Sequence, residues 1–196
     1  MSNEYNDNIV IIEKPDNISY EQIQSLLHSA HGSNKEKGMK YGVADQSIEE
    51  LEKELKRNTI CYVAMDGEKM VGTMSFRYAR KRKAFLHINS IYMQLLGVSP
   101  DCKGHHIADR LWDRGIKDAE EKGYKIFYGF PAEDNLIIHH MYLKRGFVKA
   151  SYTKYPRNNF FSVGFIRTPY KLVNKVLASR YEGIRKKVRA EHNLDD

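Results

Sequence analysis

Lys103, Gly104, His105, His106, Ile107 and Ala108 lie where an extended segment ended by Pro100 gives way to an amphipathic helix. The first backbone N–H groups of such a helix have no acceptor within it, and with the helix dipole they can hold a phosphate without a metal. Gly104 permits close backbone approach, and Lys103 adds charge. A glycine before a helix is common in ordinary loops, so the turn by itself points to anion binding and no further. Two histidine pairs, His105–His106 and His139–His140, invite a metal reading. Adjacent histidines point in different directions, and neither pair brings HExxH spacing or paired cysteines, so no metal site is expected. Cys102 has no recognisable activating partner and reads as a small residue beside the turn, while Trp112 reads as helix packing.

The elements around this turn follow from periodicity. Ile107, Leu111 and Gly115 recur at spacing four, flanked by Ala108, Trp112, Ile116 and Ala119, and Gly123 stops the helix. Before it, Phe85 to Val98 reads as a long strand in which Gly97 marks a bulge or a close backbone approach; after it, Tyr124 to Phe130 reads as a short strand. Strand, helix and strand at this spacing predict a crossover between nearby parallel strands. Further upstream, Ile9 to Ile12 forms a strand, and Ser19 with Gln22 caps a helix carrying Ile23, Leu26 and Leu27 that ends near His28 to Gly32. His31 to Gln46 reads as an exposed loop, either shaping a cleft or an uninformative excursion. Ser47 with Glu50 caps a second helix with Ile48, Leu51 and Leu55 on one face. Thr59 to Met65 and Met70 to Tyr78 flank Asp66-Gly67 as a hairpin, and the basic run Arg77 to Lys83 is expected to form the next turn. Asn135 to Arg145 is a helix ended by Gly146, followed by strands over Val148 to Tyr155 and Phe160 to Ile166 about a Pro156–Asn159 turn. Beyond Pro169 a basic helix carries Val173, Val176, Leu177, Ile184 and Val188, and we expect it to pack on the domain or on a partner.

At 196 residues the chain is one domain's worth of material, and 41% hydrophobic against 29% charged residues exclude a disordered chain. The formal charge of +7 favours anionic ligands without choosing among nucleic acid, acidic membrane and a phosphorylated cofactor. Two cysteines give no disulfide framework, Met1 to Asn8 lacks a signal-like apolar run, and no stretch is apolar enough to cross a bilayer. A cytoplasmic location and no membrane insertion are expected.

Val98-Ser99-Pro100, Lys103, Gly104 and Ala108 through Leu111 resemble the acyl-CoA pyrophosphate motif of the GCN5-related N-acetyltransferase (GNAT) superfamily. The family spacing falls on Lys103, His106 and Ala108, with His106 in place of the central glycine. Either its bulk distorts the turn, or its backbone N–H binds while the imidazole points away. Asn135, Tyr142, Lys144, Gly146 and Phe147 look like the family's late helix and following strand. The resemblance covers about Cys61 to Phe165, extends over the N-terminal elements and fades after Pro169.

The resemblance implies an α/β fold, residues 1–170, with a mixed, mostly antiparallel sheet flanked by helices and splayed between its fourth and fifth strands; residues 171–196 form a basic helical extension. In that frame main-chain groups of Leu96 and Val98 pair with pantetheine, those of Lys103, Gly104, His105, His106, Ile107 and Ala108 hold pyrophosphate, and Asn135 and Tyr142 lie along the cofactor. Tyr142 protonates the departing sulfur after direct attack by a primary amine on acetyl-CoA, with no metal. His87 is the candidate base on chemical grounds, with a water relay or an already neutral amine as alternatives, and Glu133 is a further contributor or a surface residue. A small-molecule amine is the expected acceptor, a peptide or protein amine and a homodimer being compatible with the same scaffold. The competing readings are a noncatalytic acyl-CoA-binding regulator and, less favoured, a nucleic-acid-binding protein using the basic segments.

Overall fold

Both expected capping boxes form. Ser19 Oγ accepts from Gln22 N–H while the Ser19 N–H donates to the Gln22 side chain, and Ser47 and Glu50 repeat the exchange. They open α1 (Tyr20–Glu36) and α2 (Ile48–Leu55). The computed structural model describes residues 8–36, 38–40, 46–83 and 86–194, apart from the side chains of 33–35, 80–83 and 86–88.

Alternating apolar residues make the strands β1 (Ile9–Glu13), β2 (Thr59–Asp66), β3 (Lys69–Lys83), β4 (Leu86–Val98), β5 (Ile126–Gly129), β6 (Val148–Lys154) and β7 (Phe161–Arg167). They form a single sheet in the order β1-β2-β3-β4-β5-β7-β6, in which β4 and β5 are parallel and every other pair antiparallel. The parallel pair requires a crossover, supplied by α3 (Ile107–Glu121). On one face Ile107, Leu111 and Trp112 of α3 join Tyr62, Phe76, Ile91, Met93 and Phe127 in the main core, beside Met141 and Tyr142 of α4 (Leu136–Leu143). Each such fully buried large side chain contributes about 1.5–3 kcal/mol. On the other face Ile23, Leu27, Leu51 and Leu55 of α1 and α2 pack with Cys61 and Leu95. The basic α5 (Lys171–Glu191) lies along β6, burying Tyr181 and pairing Arg189 with Glu133. Among the described residues no helix is long and apolar enough to cross a membrane.

Three expectations change. First, α1 does not stop near Gly32 but runs to Glu36, because tertiary docking outweighs a glycine's low helix propensity. A Cβ on Gly97 would lie 3.0 Å from Leu27 Cδ2 and 3.2 Å from Ala30 Cβ, so that glycine lets α1 sit directly on β4. Gly97 therefore marks close approach, while the bulge lies just before it. Of the expected His31–Gln46 loop, residues 37 and 41–45 are outside the described set. Second, Arg77 to Lys83 is strand, paired from Arg77↔Tyr92 to Lys83↔Leu86. Ladder hydrogen bonds come from the backbone, which a run of basic side chains leaves intact. Phe85, expected in the next strand, is outside the described residues. Third, β5 and α4 are each shorter than expected at both ends.

Candidate functional site

The β4–β5 ladder is short: Ser90↔Ile126, Ile91↔Phe127 and Tyr92↔Tyr128 pair, after which β4 continues to Val98 without its neighbour. Within that extension the register with β3 shifts between Thr73 and Ser75, and Leu95 takes φ +54°, so two β4 residues oppose Met74 in a bulge. Past the bulge Ser99 N–H donates to Val71 O at 2.8 Å. Antiparallel alternation then turns the main-chain groups of Gly97 toward β3 and those of Leu96 and Val98 away from it, into the opening beside β5. Leu96 and Val98, the residues the resemblance singled out, thus present a strand edge that no neighbouring strand pairs.

Tyr142 stands at the apex of this opening. An ideal Cβ on Gly129, the last residue of β5, would lie 1.8 Å from Tyr142 Oη and 3.2 Å from Met93 O, so the hydroxyl occupies the space the glycine leaves. Its ring is fixed by stacking on Phe165 at 4.7 Å and by edge contacts to Trp112 at 4.6 Å and Phe147 at 5.0 Å. Tyr142 is 4% exposed, and its hydroxyl has no hydrogen-bond partner among the described residues. Desolvation, and to a lesser degree the nearby Tyr92, pushes the phenol far above its ordinary range, so the oxygen keeps its proton as a donor.

The Lys103–Ala108 turn is placed by the packing of α3 against β3. Only a glycine fits at position 72, where a Cβ would come within 2.9 Å of Ile107 Cγ2 and 3.1 Å of Leu111 Cδ1. The first bond in the helix runs from Arg110 N–H to His106 O at 3.0 Å, leaving the N–H groups of Ile107, Ala108 and Asp109 without intrahelical acceptors. His106 adopts φ +53°, ψ +21°, the left-handed conformation a glycine would take, and its exposed imidazole turns toward Asp109 at 3.5 Å. Its bulk therefore does not block the turn. Lys103 is exposed beside it, with its own N–H tied to Pro100 O.

The same turn is braced from the residues that follow α4. Arg145 holds Asp109 at 2.7 Å and Asp113 at 2.8 Å while its guanidinium lies 5.1 Å from the Trp112 ring centre, and Lys144 also meets Asp109. Desolvation acts to raise the Asp109 carboxyl, but hydrogen bonds and charge from Lys144 and Arg145 together outweigh it and hold the group down at about 2. Sequence reasoning assigned no role to Arg145; the carboxylates at 109 and 113, one helical turn apart, were the available signal. Gly129 was missed too, although a glycine closing a short strand signals close approach.

The remaining candidates sit at the start of α4, beside α5 and along β4. Asn135 caps α4, its side chain accepting from Ile138 N–H at 3.2 Å. Glu133 accepts from Tyr152 Oη and pairs with Arg189, an inter-element tie beside α5. The His87 backbone stands opposite Arg82, six positions along β4 from Met93, or about 20 Å at strand rise. His139 is buried with Nε2 2.9 Å from Ala132 O, and no cluster of metal-ligating residues occurs among the described residues. The sheet face toward α1 and α2 carries instead an aromatic floor: Tyr92 stacks on Tyr128, Phe130 packs on both, and Tyr155 packs on Phe130. Gln94, on the same face, has a buried Nε2 with no partner among the described residues. Asn159, from the β6–β7 turn, bonds Lys40 N–H and Gly38 O, and Arg157 beside it pairs with Glu50, so this turn is clasped to the α1–α2 side.

Residues 21–147 match the family model described as the acetyltransferase (GNAT) family. No curated protein sequence is significantly similar to this one. Among solved structures, a chain of the NatC complex bound to Gag peptide and CoA superposes with a TM-score of 0.65 at 17% identity, covering 83% of this chain and 99% of that one. An aminoglycoside 6'-N-acetyltransferase complexed with coenzyme A gives 0.59 at 17% identity, covering 81% and 96%. A GNAT acetyltransferase from Elizabethkingia anophelis with acetyl-CoA bound gives 0.58 at 16%, covering 83% and 99%. At these identities the likeness concerns the fold.

Proposed function

We propose that this chain, which belongs to the acetyltransferase (GNAT) family, transfers an acetyl group from acetyl-CoA to a primary amine by direct attack, with Tyr142 as the leaving-group acid. The observation carrying this reading is the Tyr142 hydroxyl, which fills the space left by Gly129 where β4 and β5 part and makes no hydrogen bond among the described residues. The flanking groups fit acetyl-CoA: the edge at Leu96 and Val98 matches an amide-bearing arm, and the helix N-terminus at Ile107 to Ala108 matches a pyrophosphate with Lys103 alongside.

Acetyl-CoA supplies an activated acyl group on sulfur. When the amine nitrogen bonds to the acyl carbon and the C–S bond breaks, Tyr142 donates its proton to the sulfur and is reprotonated from solvent, while the surplus amine proton leaves to water. With the His87 backbone about 20 Å along the strand from Met93, the base role passes to water rather than to His87. The aromatic floor of Tyr92, Tyr128 and Phe130 and the Gln94 amide form the amine's side of the site, and the Asn159 clasp bounds it, favouring a small acceptor. Calorimetry with acetyl-CoA, using a nonphosphorylated analogue as control, tests the cofactor, and thiol release in an amine screen tests transfer. Saturable binding that needs the phosphates is expected; folded protein that binds no acetyl-CoA refutes the reading.

A further inference from the structure

Leu27, Ala30 and His31 share one stripe of α1, and the first two rest on Gly97. That docking carries the third to the bulge. His31 is largely buried, and its Nε2 lies 3.1 Å from Leu96 O. This carbonyl faces away from β3 and lies beyond the end of the β4–β5 ladder, so it belongs to the open edge of β4. Only an N–H can pair with a carbonyl, which assigns the imidazole proton to Nε2. Burial, opposed by the Leu96 bond, lowers the affinity of His31 for a second proton, so the ring is neutral near pH 7.

We infer that His31 is a specificity-determining residue that occupies, in the free protein, a main-chain acceptor an acyl-CoA amide would use. The inference rests on the acetyl-CoA reading above. An extended arm lying along an unpaired strand edge binds through main-chain hydrogen bonds. At Leu96 it meets an acceptor one of whose lone pairs is already engaged by a fixed N–H, so the arm's amide competes there with the imidazole. His31 therefore weakens binding of the arm without touching the nucleotide end, which docks at the Ile107–Ala108 helix start. It also makes cofactor entry displace a ring lodged between α1 and β4.

The test compares coenzyme A with adenosine 3',5'-bisphosphate, which has the nucleotide end and no arm, by calorimetry on the parent protein, His31→Ala and His31→Leu. Alanine opens the carbonyl, and leucine keeps most of the ring's bulk without its N–H, so a folding defect in one variant leaves the other informative. Coenzyme A should bind both variants about fivefold more tightly than the parent, the worth of one competing hydrogen bond, with adenosine 3',5'-bisphosphate unchanged. Coenzyme A affinity that is unchanged or weaker in both variants overturns the inference, as does equal tightening of both ligands. A folded parent that binds neither ligand instead overturns the acetyl-CoA reading. In 15N-histidine spectra of the parent, the Nε2–H of His31 should be protected from exchange and lose that protection on adding coenzyme A. Protection retained in the complex also refutes the competition.

Discussion

Replacing Tyr142 with phenylalanine separates chemistry from packing because the ring and the hydroxyl make different contacts. The ring's stacking on Phe165 and its edges to Trp112 and Phe147 survive the change, whereas the oxygen gives up no protein hydrogen bond. Removing a hydroxyl that makes no protein hydrogen bond should change thermal stability by no more than about 1 kcal/mol. Loss of a positioned general acid should lower kcat about 10²- to 10⁴-fold while acetyl-CoA affinity stays within about twofold. Gly129→Ala makes the complementary change: its Cβ would fall 1.8 Å from the same oxygen, forcing the hydroxyl to move by more than about 1 Å. A displacement of that size costs on the order of 10²-fold in rate, with a stability loss that Tyr142→Phe in the same chain partly relieves. The assay is release of free thiol from acetyl-CoA with an accepted amine, alongside thermal melting. A Tyr142→Phe enzyme turning over within about threefold of the parent would refute the assignment.

Four further outcomes follow from the same geometry. Gly72→Ala should cost about 1–3 kcal/mol by crowding Ile107 and Leu111 and should weaken coenzyme A binding by shifting the start of α3, both readable in one melting series with and without ligand. His106→Gly should raise stability by about 1 kcal/mol by relieving a left-handed backbone and keep coenzyme A affinity, whereas His106→Val should lose both; equal behaviour of the two variants in calorimetry would show that the turn does not depend on that conformation. Asp109 sits at about 2, below its unfolded value, so the stability it contributes is present above about pH 4 and is lost as pH falls toward 2. Asp109→Asn should therefore cost about 1 kcal/mol at pH 7, after allowing for solvent screening of Lys144, and flatten the stability profile between pH 4 and 2 in urea titrations. His87→Ala should leave both kcat and its pH profile unchanged; loss of the acidic limb would return the base role to that residue.

How much was legible before folding depends on the range of the interaction that fixes each feature. Capping at Ser19 and Ser47, the Asp66-Gly67 turn and the apolar stripe of α3 are written within a few residues, and the structure holds all of them. The turn at Lys103 to Ala108 belongs to the same class, and so does its replacement of glycine by His106, although only the backbone dihedrals show that the histidine takes the glycine's place. The N-terminal capping signal placed the start of α1, but the docking of its Leu27 and Ala30 on Gly97 of β4 is a long-range contact that no local propensity could report.

The sequence by itself determined the element order and the glycine-bearing helix start at Lys103 to Ala108, because periodicity, caps and turn chemistry act over one or two helical turns, while Tyr142 was singled out by the family resemblance. Only the tertiary structure decided where that tyrosine's oxygen lies, which backbone carbonyls face the opening, and that His31 closes on Leu96 across 65 positions of chain. It also tied Glu133 to Tyr152 and Arg189, bracing α5. Those features depend on the close approach of separate elements, and that approach is fixed by side chains the sequence leaves out: glycines at 72, 97 and 129, whose meaning lies in the neighbours that fill their space.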